Sequence, residues 1–128
     1  GAMPARDGLW EAAYATREDA LARLAIVPMV LEARGLDVTP ATMERFEAQG
    51  DSTSARILQR IFTDEIRHVS AGTKWFESGC GAANLLPKYY WKTLVNRHFH
   101  GGVKPPFNDS ARSKAGLTRD YYMQVALS

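Results

Sequence analysis

The chain of 128 residues holds one cysteine, Cys80, and three histidines. A single thiol rules out an internal disulfide framework and fits a reducing, cytoplasmic setting. Cys80 stands between Gly79 and Gly81 and reads as incidental rather than nucleophilic. No apolar run reaches the eighteen or so residues of a membrane-spanning helix, and nothing near the start reads as a secretory signal. An excess of one charge is missing too: 16 Lys and Arg stand against 14 Asp and Glu. A net charge of +2 makes nucleic acid an unlikely partner. Strand-like alternation, internal repeats and low-complexity tracts are also lacking, which leaves an all-α class.

What is present suits one packed domain. Apolar residues make up 45% of the chain and charged residues 23%, enough to bury a sizeable core. Gly1-Ala2-Met3 reads as the remnant of a cleaved tag, so the domain is placed at residues 4–128. Helical spacing of Trp10, Ala13, Tyr14, Leu21, Leu24, Val27, Pro28 and Leu31 predicts a first helix from Asp7 to Arg34. Pro28 should kink it, Gly35 should stop it, and Thr39-Pro40 should open a short helix ending at Gly50. Asp51 or Ser52 should cap a third helix reaching Ser78. A fourth is expected over Leu85 to Phe99, then an ordered loop, "GGVKPPFN", packed by Phe107. Short helices should follow over Asp109 to Ala115 and Thr118 to Ala126.

The third helix carries the chemistry. Its core stripe reads Leu58, Ile61, Phe62, Glu65, His68, Val69, Gly72, Trp75 and Phe76. Glu65 and His68, one turn apart, project from one helix face. A carboxylate in a core stripe needs a counter-charge, which a metal ion would supply. Glu-x-x-His is the spacing of carboxylate-bridged di-metal sites in four-helix bundles. Alone it is a weak signal, because a surface Glu and a structural His share it more often. Glu32 adds to it: it falls at the edge of the first helix's apolar stripe, near a C-terminal end whose dipole disfavours a carboxylate. Glu18 is a fallback ligand. His98, His100, the Tyr89-Tyr90-Trp91 run and the basic tail of Lys104, Arg112, Lys114 and Arg119 are read as packing or solvated residues.

"DGLW" (Asp7 to Trp10), "LARLAIVP" (Leu21 to Pro28), "VLEARGLDVTP" (Val30 to Pro40), "DEIRHV" (Asp64 to Val69) and "GGVKPPFN" (Gly101 to Asn108) together resemble the C-terminal half of a bacterial ferritin-like family of unknown function. That resemblance implies a ferritin-like helical half-bundle. It maps Glu32, Glu65 and His68 onto metal-ligand positions, with iron as cofactor, two ions per complete site, or manganese or zinc instead. It also implies an oxidoreductase or oxygenase of unknown substrate. Such proteins carry a second helix pair with another Glu-x-x-His, which this chain lacks. The expectation is therefore a homodimer, or pairing with a missing N-terminal half of the same protein. Two rival readings are a metal-free helical dimerisation module and a tRNA-modifying hydroxylase.

Overall fold

The structure, a computed structural model, describes residues 17–100 and 102–126. The expected Asp7 cap and the apolar positions Trp10, Ala13 and Tyr14 lie outside the described residues, as does the 1–3 remnant. Among the described residues the regular secondary structure is helical, with a lone bridge between Val103 and Ala126 and no strand. None of those helices is long and apolar enough to cross a membrane.

One long arm opens the fold. Helix α1 (residues 17–26), a π turn (Val27–Glu32) and helix α2 (Ala33–Ala48) follow one another without a break. The stop expected at Gly35 and the new start at Pro40 are both overturned, since Gly35 and Pro40 lie inside α2. Gly35 in a helix interior costs only about 1 kcal/mol, which tertiary packing outweighs. Pro40 costs more, because it cannot donate to the carbonyl of Leu36 one turn back. That carbonyl accepts instead from the Asn108 side-chain amide at 3.0 Å. A partner 72 residues downstream thus restores the bond that proline removes. At Pro28, where a kink was expected, the chain forms the π turn, with the Ala33 N–H reaching the Pro28 carbonyl.

Gly50, at φ 79°, makes the turn into the second arm. Helix α3 (Ser52–Ala82) is capped by Asp51, which accepts from the Ser54 N–H at 3.0 Å and the Ser54 hydroxyl at 2.7 Å. It runs past the expected end at Ser78, through Gly79 and Gly81. The two arms are antiparallel and close. A Cβ on Gly79 would lie 2.7 Å from Leu21 Cδ2, and one on Gly72 would lie 2.4 Å from Pro28 Cγ. A Cβ on Gly35 would sit 3.9 Å from Glu65 Cγ. The pairs 21/79, 28/72 and 35/65 step by seven residues on each arm, in opposite directions. That repeat is the coiled-coil period, and it keeps one seam in contact along both helices.

Helix α4 (Pro87–His98) starts with Pro87 in the first turn, and its Trp91 indole donates to the Ala25 carbonyl at 3.1 Å. Helices α5 (Asp109–Lys114) and α6 (Arg119–Tyr122) complete the chain. Together α4 to α6 cover one side of the two arms, burying Trp91, Leu94, Leu117, Tyr121 and Tyr122 against Met29, Leu36, Val69 and Phe76.

Arg112 corrects another expectation. It is not part of a solvated basic tail, since its side chain is 2% exposed and forks onto Asp37, whose side chain is 0% exposed. The bonds measure 2.8 Å (Nε to Oδ1) and 2.6 Å (Nη2 to Oδ2). The guanidinium also lies against the rings of Phe107 and Tyr122, at 5.0 and 4.5 Å, and those two rings touch each other at 4.7 Å. A buried Arg is tolerated because a bidentate carboxylate and two ring faces replace its water.

Candidate metal site

Glu32 ends the π turn, and Glu65 and His68 lie on the facing stretch of α3. The antiparallel register explains the meeting. Gly35 faces Glu65 and Pro28 faces Gly72, so Glu32 falls between them, opposite His68. One ligand atom from each of Glu32, Glu65 and His68 lies within 4.8 Å of the others. Glu32 does not sit at a helix C-terminus as expected, because the π turn continues directly into α2. The dipole argument for its role therefore fails, while its position in the seam remains.

Burial pushes the Glu65 carboxyl above its ordinary range, the Glu32 charge adds to that, and His68 pulls it back. The Glu65 side chain is 23% exposed and that of His68 65% exposed. His68 Nδ1 stands 3.7 Å from Glu65 Oε2, too long for a good hydrogen bond. No side-chain cation pairs with Glu32 among the described residues. Two acids and an imidazole whose ligand atoms lie this close are groups that could hold a cation. Carboxylate and imidazole donors fit iron, manganese or zinc alike.

The core stripe expected on α3 divides in two. Val69, Gly72 and Phe76 are buried, and Leu58 and Phe62 are half-buried. Ile61, His68 and Trp75 point outward, with Trp75 69% exposed. At about 100° per residue, Ile57, Ile61, His68 and Trp75 share an arc of about 40°. The stripe is wider than one neighbouring arm can cover. Val27, Leu31 and Val38 on the first arm are exposed as well.

The remaining candidates are placed elsewhere. Glu18, His98 and His100 are exposed and outside the cluster. Asp64 pairs with Arg67 at 3.8 Å on the surface. Cys80 is buried, and burial, with Glu77 nearby, pushes its thiol up to about 11, so it is not a nucleophile. Trp91 is buried, Tyr90 stacks on Phe76 at 6.3 Å and Tyr89 is exposed, so the aromatic run splits.

Fold and cluster thus define an all-α protein with a Glu–Glu–His group in the seam between two antiparallel arms. The chain belongs to the DUF455 family, described as proteins of unknown function, whose profile matches residues 1–123. It is 38% identical over 119 residues to an uncharacterized protein of Haemophilus influenzae. The aligned stretch covers 93% of this chain and 41% of that protein, so the chain spans less than half of its relative's length. No solved structure matches the chain.

Proposed function

We propose that this chain is the metal-binding half of a ferritin-like bundle, with Glu32, Glu65 and His68 as half of a di-metal ligand set. The observation that carries the reading is the convergence of those three ligand atoms within 4.8 Å, with a raised carboxyl among them. The other half of the set comes from a second copy of this chain or from polypeptide outside it. Either source would place further acids and an imidazole over the exposed apolar residues Ile57, Ile61 and Trp75. When bound, two iron or manganese ions would supply one-electron and dioxygen chemistry, and the protein would be an oxidoreductase or oxygenase. Glu32 and Glu65 would neutralise the ions, and His68, reachable from solvent, would hold an outer coordination position. The substrate is not defined by the fold.

The test is elemental analysis after anaerobic incubation with ferrous iron, and separately with manganese and zinc, followed by desalting. Wild-type protein should retain metal and gain thermal stability. Glu65→Gln and His68→Ala should lose both, while the apo fold persists by circular dichroism. Absence of retained metal with no change in stability would overturn the reading in favour of a structural Glu–His pair. Sedimentation of the loaded sample then tells a homodimer from a chain that needs another partner.

A further inference from the structure

A cavity of about 390 Å³ opens between α2 and the segment leading to α5, lined by Val30, Leu31, Phe99 and Phe107 and by Arg34 and Lys104. Its volume falls within the range of small-molecule sites. Its walls are apolar, and its charged groups have one sign, since no carboxylate is among the lining residues. Arg112 also reaches the wall, but Asp37 neutralises it through two short bonds.

Arg34 differs. Its Nη1 donates to the carbonyls of Lys104 at 2.6 Å and Pro106 at 3.2 Å, and to Asp37 Oδ2 at a long 3.4 Å. Every one of these bonds runs through Nη1, so the side chain is fixed while Nε and Nη2 have no acceptor among the described residues. The Lys104 ammonium has no ion-pair partner among the described residues. A guanidinium anchored at one nitrogen, with a donor pair to spare beside an apolar hollow, matches the fork of a carboxylate.

We propose that this cavity binds a small carboxylic acid with an apolar tail or ring. The carboxylate lies on Arg34 and Lys104, and the apolar body packs against Val30, Leu31, Phe99 and Phe107. This site is independent of the metal reading, because none of its residues belongs to the Glu–Glu–His group.

The experiment is an amide-detected NMR titration of the full chain with sodium octanoate, using octanol and acetate as comparators. Octanoate should saturate one site and shift amides of residues 30–34 and 102–107. Octanol, which lacks the charge, and acetate, which lacks the chain, should each bind about tenfold more weakly or less. Arg34→Gln should weaken octanoate about tenfold. That change also frees the carbonyls of Lys104 and Pro106, so Lys104→Gln is the cleaner variant, because Lys104 is exposed and its ammonium anchors nothing. It should weaken octanoate several-fold and leave the spectrum otherwise unchanged. His68→Ala should bind octanoate as wild type does, which separates failure here from failure of the metal site. Octanol binding as well as octanoate, shifts centred elsewhere, an unchanged affinity in Lys104→Gln, or no saturation by about 10 mM would each overturn the proposal.

Discussion

Replacing Gly72 by alanine adds one methyl group where the two arms are closest. Its carbon would lie 2.4 Å from Pro28 Cγ and 2.5 Å from Pro28 Cβ. Carbon atoms in contact need about 3.5 Å, so the arms must part by about 1 Å. Pro28 cannot turn aside, because its ring is tied to the backbone of the π turn. Two effects then oppose each other. Alanine gains about 1 kcal/mol of helix propensity over glycine. Overpacking costs about 1–3 kcal/mol, and here the seam must also give up contacts on either side. The net expectation is a loss of about 1–2 kcal/mol in urea unfolding at constant m. Gly81→Ala is the control: it lies in the same helix with nothing within 4 Å of its Cβ, so it should keep part of the propensity gain and be at least as stable as wild type. Parting the seam at Gly72 should also separate Glu32 from Glu65 and His68, weakening metal retention in the same variant. If Gly72→Ala matched Gly81→Ala in stability, the close seam would not exist and the register argument would fall with it.

Other perturbations have equally definite outcomes. Arg112→Met takes the bidentate partner from the buried Asp37 carboxylate, leaving it the Asn108 N–H at 2.8 Å and a long contact to Arg34 at 3.4 Å, and should cost about 3 kcal/mol by denaturant unfolding. Asp37→Leu with Arg112→Met should recover only part of that loss, because the Asn108 N–H then loses its acceptor. Asn108→Ala removes the donor to the Leu36 carbonyl and the cap on Ala111, and should cost about 2 kcal/mol. The Asp120 carboxyl is held down at about 2, first by its bond from Lys88 and then by that from Thr118. A depressed acid stabilises the fold above its unfolded value and loses that contribution as pH falls. Lys88→Gln should therefore lower stability slightly at neutral pH and flatten the stability-against-pH curve between about pH 4 and pH 2, so that variant and wild type converge as the acid protonates.

Glu65 and His68 were legible in the sequence because one helix at regular spacing fixes which side chains share a face. Glu32 was legible for the same reason, although the dipole argument attached to it was wrong. The cap at Asp51 and the starts of α4, α5 and α6 followed from local chemistry, which tertiary packing did not override. The misread elements were those governed by distant residues. Pro40 looks like a helix start until Asn108 takes over the Leu36 carbonyl, and no local signal announces a donor so far along the chain. Gly35 and Gly79 look like stops until the facing arm is present. Arg112 looks solvated until Asp37 is folded against it. A proline inside an otherwise helical pattern, with Asn in a later glycine- and proline-rich loop, was the signal that could have suggested the first of these.

The repair of α2 by Asn108 has a consequence for the order in which the chain takes shape. The two arms meet through a tight turn at Gly50, so their seam closes early, with little loop entropy to overcome. The donor to Leu36, the guanidinium for Asp37 and the backbone anchors for Arg34 all arrive 70 to 75 residues later. During synthesis from the N-terminus, the first arm is made with a broken helical ladder and an unneutralised acid. It holds its final form only once the last helices are in place. A chain cut short before Asn108 would still carry all three residues of the Glu–Glu–His group, on a first arm that lacks the donor to its Leu36 carbonyl and the guanidinium for Asp37.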